Sequence, residues 1–207
     1  MISYPKIPGP FKRHPNNMID RFRYSSEEIA ALAPTQWTWT EKIDGTNLRI
    51  HWDGHKPIFG GRTGNAQIRV DLLTYLQETF REELFEQQFG NDPVTLFGEG
   101  VGPKIQAGSG RYADTPSIIL FDAYCGGLWL RYPDVAITAA NFGIRVTPHV
   151  GSFGLFAAVA GIEDGLPSHF HPGTVEGIVG VAPHALLDRR GNRIQVKVKT
   201  VDFQEKS

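Results

Sequence analysis

The chain has 207 residues, and its 21 Lys and Arg against 22 Asp and Glu give a formal net charge of −1. This balance excludes a global basic field, so any contact with nucleic acid must come from a local patch. The single cysteine, Cys125, excludes an internal disulfide and favours a reducing, cytoplasmic setting. We expect no signal peptide at the N-terminus and no membrane span, because no apolar run reaches about 18 residues.

The first half of the chain is predicted to contain two strands between two helices. Residues 1–24 are rich in Pro, Arg and Asn and are expected to wrap the surface. Residues 25–28 (Ser-Ser-Glu-Glu) have capping-box spacing, which predicts the start of a short helix. Thr38–Ile43 and Thr46–Trp52 are expected to be strands, the second because its apolar residues alternate with polar ones. Asp71–Phe89 has apolar residues at helical spacing behind Asp71 as N-cap, which predicts the longest helix.

Predicted strands dominate the second half. They run over Val94–Gly98, Ser117–Tyr124, Thr174–Ala182 and Ile194–Lys199, with helical segments near Ala136–Phe142 and Ser152–Ala160. Glu163–Gly173, which contains a His-Phe-His run, is expected to be a loop rather than a metal site, because no cysteine or carboxylate cluster lies nearby. Mixed order with hairpins favours an α+β fold over a regular parallel sheet. No linker divides the sequence, so residues 1–207 are expected to form a single domain.

The clearest local motif is Glu41-Lys42-Ile43-Asp44-Gly45-Thr46-Asn47, which places a lysine between two predicted strands. A lysine at a strand end can be presented at the mouth of a pocket. To act as a nucleophile its ammonium must lose a proton, which desolvation or nearby cations favour. Taken alone, the motif is better explained as an ordinary hairpin with a solvated lysine and an Asp-Gly turn.

Two glycine-rich segments follow. In Gly60-Gly61-Arg62-Thr63-Gly64, the glycines allow a ligand to approach the backbone, and the guanidinium suits a phosphate. In Leu96-Phe97-Gly98-Glu99-Gly100-Val101-Gly102, the carboxylate can accept a hydrogen bond from a ribose hydroxyl or hold a metal through water. An ordinary Gly-rich loop and a solvated turn glutamate are the alternatives.

Two later apolar runs each carry a carboxylate. The first ends in Phe121-Asp122, where Phe121 can stack on a base or belong to the core. The second, Val175–Gly180, contains Glu176. Because a buried unpaired charge is costly, Glu176 should face a cation or a site.

The last predicted strand carries two lysines. Strand alternation sends Lys197 and Lys199 to one face, roughly 6 to 7 Å apart. Such a pair can bind a triphosphate. The alternative is a solvated edge strand whose lysines guard against aggregation.

Taken together and in this order, these segments resemble the covalent nucleotidyltransferase superfamily of ATP-dependent DNA ligases, RNA ligases and mRNA capping enzymes. The resemblance spans residues 41–199 and rests on five short motifs: Lys42-Ile43-Asp44-Gly45, Glu99-Gly100, Phe121-Asp122, Glu176-Gly177-Ile178-Val179 and Lys197-Val198-Lys199. It implies an α+β fold in which antiparallel sheets with flanking helices form a nucleotide cleft.

Residues 41–47 are most similar to the phage-type RNA ligases that seal nicks in duplex RNA, since DNA ligases and capping enzymes usually carry Arg where Asn47 stands. The resemblance implies that Lys42 attacks the α-phosphate of ATP, that AMP passes to an RNA 5′-phosphate, and that a 3′-hydroxyl displaces it. DNA nick sealing, GTP-dependent capping and a module that binds nucleotides or RNA ends without catalysis are the alternatives. Asn47, an adenine contact by Glu41 and the complete set of charged residues, respectively, argue against them.

The resemblance also implies a role for each residue. Lys42 is the nucleophile, and the nucleotide contacts are Glu41 at the adenine edge, Phe121 and Val179 on the base, Glu99 at the ribose, and Asn47, Arg62, Lys197 and Lys199 at the phosphates. Glu176, with Glu99, would hold hydrated Mg²⁺ or Mn²⁺. Asp44, Gly45 and Asp122 would support the site.

The sequence ends eight residues after Lys199, where most members of the superfamily continue into a C-terminal domain that helps to engage the polynucleotide. A minimal catalytic domain without that accessory domain is therefore expected. Its RNA surface would come from a protein partner or from local basic stretches at residues 12–14, 21–23 and 189–190. Each stretch taken alone is more simply a solvated surface.

Overall fold

The structure is a computed structural model that describes residues 2–63 and 66–203. In chain order the strands are β1 (Phe11–Arg13), β2 (Ile19–Tyr24), β3 (Trp37–Glu41), β4 (Thr46–Trp52), β5 (Pro57–Gly61), β6 (Val94–Val101), β7 (Ser117–Cys125), β8 (Leu128–Trp129), β9 (Arg145–Val146), β10 (His149–Phe153), β11 (Gly177–Val181) and β12 (Gln195–Lys199). The helices are α1 (Glu27–Leu32), α2 (Val70–Thr79), α3 (Glu82–Phe89), α4 (Tyr132–Asn141), α5 (Leu155–Glu163) and α6 (Thr200–Phe203).

The chain divides into two compact units. The central unit is Asp44–Thr147 with the segment that ends at Tyr4, and the terminal unit is Pro5–Ile43 with the described residues from Pro148 onward. Each unit has its own hydrophobic core and its own sheet. That residues 1–207 act as a single domain stays a prediction.

The terminal unit is built on an antiparallel sheet in the order β10-β3-β11-β12. Alternation along β3 places Trp37 and Trp39 on one face, where both are fully buried. Ile178 of β11 and Val198 of β12 join the same core, together with residues of α5. The opposite face is less buried, and it is the face that carries polar side chains.

The central unit contains the sheet β5-β4-β6-β7-β8, whose pairs are antiparallel, while β9 runs parallel to β7. Leu48, Ile50 and Trp52 alternate along β4 and are fully buried. They pack with Leu72 and Leu76 of α2, so the helices cover one face of the sheet. The α+β class with antiparallel sheets and flanking helices is confirmed. Among the described residues, no helix is long and apolar enough to cross a membrane.

The predicted helix Asp71–Phe89 is wrong in its continuity, because it is two helices that part at Phe80. Phe80 leaves the helical conformation with φ −100° and ψ 66°, and its fully buried ring packs on Phe85 and Phe142. The N-cap is Arg69 rather than Asp71, whose carboxylate instead accepts hydrogen bonds from the Arg69 guanidinium at 2.9 and 3.1 Å.

Other boundaries also differ from the predictions. Residues 1–24 contain the paired strands β1 and β2. The two glycines before Arg62 are the last residues of β5. The helix expected at Ala136–Phe142 begins earlier, at Tyr132, and the one expected at Ser152–Ala160 begins later, because Ser152 belongs to β10. The strand expected over Thr174–Ala182 begins only at Gly177, so Glu176 precedes it.

Candidate active site

Lys42 and two other predicted site residues meet at one end of the terminal sheet. Lys42 follows the last residue of β3, and its backbone N–H donates to the carbonyl of Gly177 at 2.9 Å. Gly177 pairs with Lys199 across β11 and β12. Lys42 Nζ forms an ion pair with Glu176 Oε2, and Lys199 Nζ lies 3.1 Å from Glu176 Oε1. One carboxylate therefore joins two ammonium groups.

The three charged side chains are shielded from solvent to different degrees. Glu176 is 16% exposed, Lys42 is 23% exposed and Lys199 is 33% exposed. Removal of the carboxylate would leave two partly desolvated cations close together, which is costly. The cluster can therefore offer an amine and a second cation to a ligand whose own charge is negative.

One face of the terminal sheet carries Val179, a predicted base contact, and Lys197, a predicted phosphate contact. Val179 pairs with Thr40 of β3 and with Lys197 of β12, so these residues form a row across the sheet. Lys197 and Lys199 are two apart on β12 and share this face, while Val198 between them is buried in the core. The row is only partly buried, so the Val179 side chain and the Lys197 ammonium lie on the more exposed side of the sheet, which Lys199 shares.

Glu41 has a different environment from its neighbour Lys42. It pairs with Ile178, and its side chain is 0% exposed. Its carboxylate accepts hydrogen bonds from Ser168 Oγ at 2.6 Å and from the His169 backbone N–H at 3.0 Å, and His169 Nδ1 lies 3.2 Å away. The adenine contact of Glu41 stays a prediction. Sequence reasoning assigned residues 163–173 to a plain loop and missed these two partners, which no motif or periodicity marks.

Within the central unit, Asn47 of β4 lies directly opposite Glu99 of β6. The two side chains share a face, as expected for an antiparallel pair. The buried Oδ1 atom of Asn47 has no hydrogen-bond partner in the described part of the chain. An unmet acceptor of this kind suits a ligand donor or a water that accompanies a ligand.

Phe121 occupies a β-bulge. Its neighbours Leu120 and Asp122 pair with consecutive residues of β6, so Phe121 is the extra residue that has no place in the ladder. Bulges re-aim a side chain, and the Phe121 ring stands edge-on to Tyr4 with centroids 5.0 Å apart. The Tyr4 hydroxyl also donates to Asp122 Oδ2 at 2.8 Å. The N-terminal segment thus supplies the partner of Asp122 that the sequence left unassigned.

Asp44 and Gly45 lie in the segment that connects Lys42 to β4. Asp44 Oδ1 accepts a hydrogen bond from Gln106 Nε2 at 2.7 Å, and Arg111 Nη2 lies 3.8 Å from Oδ2. Gly45 is packed so closely that an added Cβ would lie 2.5 Å from the carbonyl oxygen of Gly100. Both residues therefore fix the backbone where it enters the central sheet.

Arg62 is the least defined of the predicted contacts. It is exposed and follows the last residue of β5. Gly64, the final residue of its motif, lies outside the described residues. Its role at a phosphate stays a prediction.

The donor set can be tested for a metal. Within residues 2–63 and 66–203, no group of three His, Cys, Asp or Glu could hold an ion. Mg²⁺ keeps several waters and needs only one or two carboxylates beside substrate phosphates. Glu176 offers such a carboxylate, so the residues fit a hydrated ion that arrives with a nucleotide.

The sequence and the fold were compared with those of known proteins. The family model described as RNA ligase matches residues 35–199. The chain is similar to Naegleria gruberi RNA ligase with PPi, at TM-score 0.63 and 17% identity over 95% of this chain and 61% of that one. It is also similar to mutants of that ligase with ATP and Mn (0.65, 15%, 96% and 64%) and with AMP and Mn (0.66, 15%, 94% and 61%).

At these identities the solved structures establish the fold alone. The chain spans about three fifths of the length of these ligases, 61% in the first comparison. No curated protein matches the sequence.

Proposed function

The chain belongs to the RNA ligase family, and from this premise we propose that it is an ATP-dependent RNA ligase with a lysyl-AMP intermediate on Lys42. The observation that carries the proposal is the joining of Lys42 and Lys199 by Glu176 at the ends of three strands. A lysine in contact with an anion and a second cation is positioned for phosphoryl transfer, which depends mainly on positioning and charge neutralisation.

The first step would adenylylate Lys42. Its ammonium loses a proton to water, the neutral Nζ attacks the α-phosphorus of ATP, a P–N bond forms, the bond to the pyrophosphate oxygen breaks, and the nitrogen gives up its second proton to water. The cations of Lys197 and Lys199 would stabilise the departing negative charge. A shared fold with ligase structures that contain PPi or ATP and Mn supports this assignment.

The other proposed nucleotide contacts belong to both units, and each unit is considered by itself. In the terminal unit, Val179 would contact the base and Glu41 its adenine edge, and in the central unit Phe121 would stack on the base. Glu99 and Asn47, which lie side by side on the central sheet, would bind the ribose and a phosphate. Glu176, with Glu99, would hold Mg²⁺ or Mn²⁺ through water, where the ion neutralises phosphate charge.

The later steps would join RNA. AMP passes from Lys42 to an RNA 5′-phosphate, and an RNA 3′-hydroxyl displaces AMP to form the phosphodiester. We propose a nick in duplex RNA as the substrate, in the cytoplasm, with a protein partner as a further source of RNA-binding surface.

Labelling with nucleotide tests the proposal. Purified protein, freed of pre-bound AMP, is incubated with Mg²⁺ and α-labelled ATP or GTP beside a Lys42→Ala variant. Label from ATP that survives denaturation and is lost in the variant is the expected result, and nicked RNA is then compared with nicked DNA. Label from GTP alone would indicate capping. No label from either nucleotide on folded protein would leave a binding module.

A further inference from the structure

The hairpin of β1 and β2 differs from the rest of the chain in charge. Residues 11–24 carry Lys12, Arg13, Arg21 and Arg23 against one acid, Asp20, for a net charge of +3 with His neutral. The whole chain has a formal charge of −1, so positive charge is concentrated here.

The hairpin also carries an aromatic residue, Phe22, that is almost fully exposed. Phe11 pairs with Tyr24 and Lys12 pairs with Asp20, so Arg21-Phe22-Arg23 has no partner residues in β1 and forms a bulge. The Phe22 backbone N–H donates to Asp20 Oδ1 at 3.1 Å, which shapes the bulge. Phe22 is 97% exposed.

Two of the cations anchor the hairpin to its own unit. Arg13 donates to Asp202 at 2.6 Å. Arg21 forms an ion pair with Glu163 and lies 5.4 Å from the centre of the Phe203 ring. These contacts hold the bulge in place.

The other two cations are available. Lys12 and Arg23 are exposed, and neither makes an ion pair or side-chain hydrogen bond to any of the residues that the structure describes. An exposed ring between arginines, with a lysine beside it, matches what single-stranded nucleic acid requires: an aromatic face for a base and cations for phosphates.

We propose that this hairpin binds a single-stranded stretch of RNA that flanks the nicked duplex, with Phe22 stacked on an unpaired base and Arg23 and Lys12 on phosphates. The inference rests on the proposed RNA ligase function and names the RNA surface of that enzyme. It accounts for recognition of a polyanion by a chain with no net positive charge. Because Phe22 is almost fully exposed, its replacement should leave the fold intact.

The test is fluorescence anisotropy with a labelled, 5′-phosphorylated single-stranded RNA of about 12 nucleotides, which is within the range of common site sizes. Phe22→Ala should weaken binding on the order of tenfold with an unchanged salt dependence. Arg23→Ala should weaken binding and reduce the slope of log K against log salt by about 0.7. The matched controls are Phe156→Ala, another exposed aromatic at 61%, and Arg81→Ala, an exposed arginine outside the basic stretches. Both should bind RNA as the unmodified chain does.

Each outcome decides between the two proposals. Lysyl-AMP formation should be equal in Phe22→Ala and the unmodified protein. If the protein adenylylates but Phe22→Ala and Arg23→Ala bind RNA normally, the hairpin is not the RNA surface, although the ligase proposal stands. If RNA binding depends on Phe22 but no lysyl-AMP forms, the surface stands and the ligase proposal fails. If the substitution abolishes only self-association in size-exclusion chromatography, the occupant is a second copy and the inference is overturned.

Discussion

Replacement of Ser168 by alanine tests how the buried Glu41 carboxylate, next to Lys42 in the chain, is held. Ser168 Oγ donates to Glu41 Oε1 at 2.6 Å and accepts from the Phe170 backbone N–H at 3.0 Å. The Glu41 side chain is 0% exposed, so the carboxylate has no existing contact with bulk water to offset the lost donor. Hydrogen bonds to charged groups contribute about 1.5–3 kcal/mol. Ser168→Ala should therefore lower the free energy of unfolding by about 2 kcal/mol.

Thermal unfolding measures this loss directly. For a chain of this length, each kcal/mol lowers the midpoint by about 2–4 °C, so Ser168→Ala should unfold about 4–8 °C below the unmodified protein. Ser152→Ala is the matched control, because Ser152 is an exposed serine of β10 in the same unit. It should change the midpoint little. Since Glu41 precedes Lys42, Ser168→Ala should also slow lysyl-AMP formation.

Replacement of His169 distinguishes the contribution of its imidazole ring to this carboxylate from that of the Ser168 hydroxyl. Its side chain is 52% exposed, so the ring contributes less than the Ser168 hydroxyl, and His169→Ala, which keeps the backbone donor, should lower the midpoint by less. If Ser168→Ala and Ser152→Ala unfold at the same temperature, the Ser168 hydroxyl does not hold the Glu41 carboxylate. The loop that contains Ser168 then does not support the segment that carries Lys42.

Three further predictions concern Gly45, His51 and Cys125 of the central unit. Gly45→Ala would place a Cβ 2.5 Å from a backbone oxygen and should lower the unfolding free energy in urea by about 1–3 kcal/mol, whereas Gly161→Ala in α5, where nothing lies within 4 Å, should raise it by up to about 1 kcal/mol. Burial lowers the pKa of His51 below 6.5, so the unfolded chain takes up the proton more readily. Stability should therefore fall as the pH drops below 6.5, and His51→Gln should flatten that slope in unfolding titrations. Burial raises the pKa of the Cys125 thiol, so iodoacetamide at about pH 8 should alkylate it more slowly in the folded than in the unfolded protein.

Strand alternation explains why some elements are predictable and others are not. The apolar residues of β4 alternate, and the strand lies over the predicted Thr46–Trp52. In β1 and β2 only Phe11 is buried, while charged residues occupy most other positions. A two-stranded hairpin with so little apolar surface leaves no periodic signal, so the sequence predicts only that residues 1–24 wrap the surface and does not predict these strands.

The broken helix shows a second limit of periodicity. Leu76, Phe80 and Leu84 recur every four residues, which is the spacing of one helical face. The pattern persists across the break because Phe80 must be buried in either conformation. Only the aromatic cluster with Phe85 and Phe142, which forms on folding, decides that the chain turns there.

The candidate site was also predictable only in part. Short motifs at strand ends located Lys42, Glu176 and Lys199, because a strand end and its charged residue are adjacent in sequence. The partners of Glu41 lie 127 and 128 residues away in a loop, and the tyrosine on Asp122 lies 118 residues away. Nothing local marks such contacts, since they depend on how loops and the N-terminal segment pack on the sheets.

Gly177 shows why the Glu-Gly pair belongs to the site as a unit. An added Cβ at Gly177 would press on the carbonyl oxygen of Val198 and lie 2.9 Å from the Cα of Lys199, so β11 can approach β12 this closely only with glycine there. The same residue accepts the backbone N–H of Lys42. Glycine therefore brings the ends of three strands together, and the residue before it can place one carboxylate between two lysines. The position of Lys42 is thus a property of the backbone, which fixes the neighbours of its amine before any nucleotide binds.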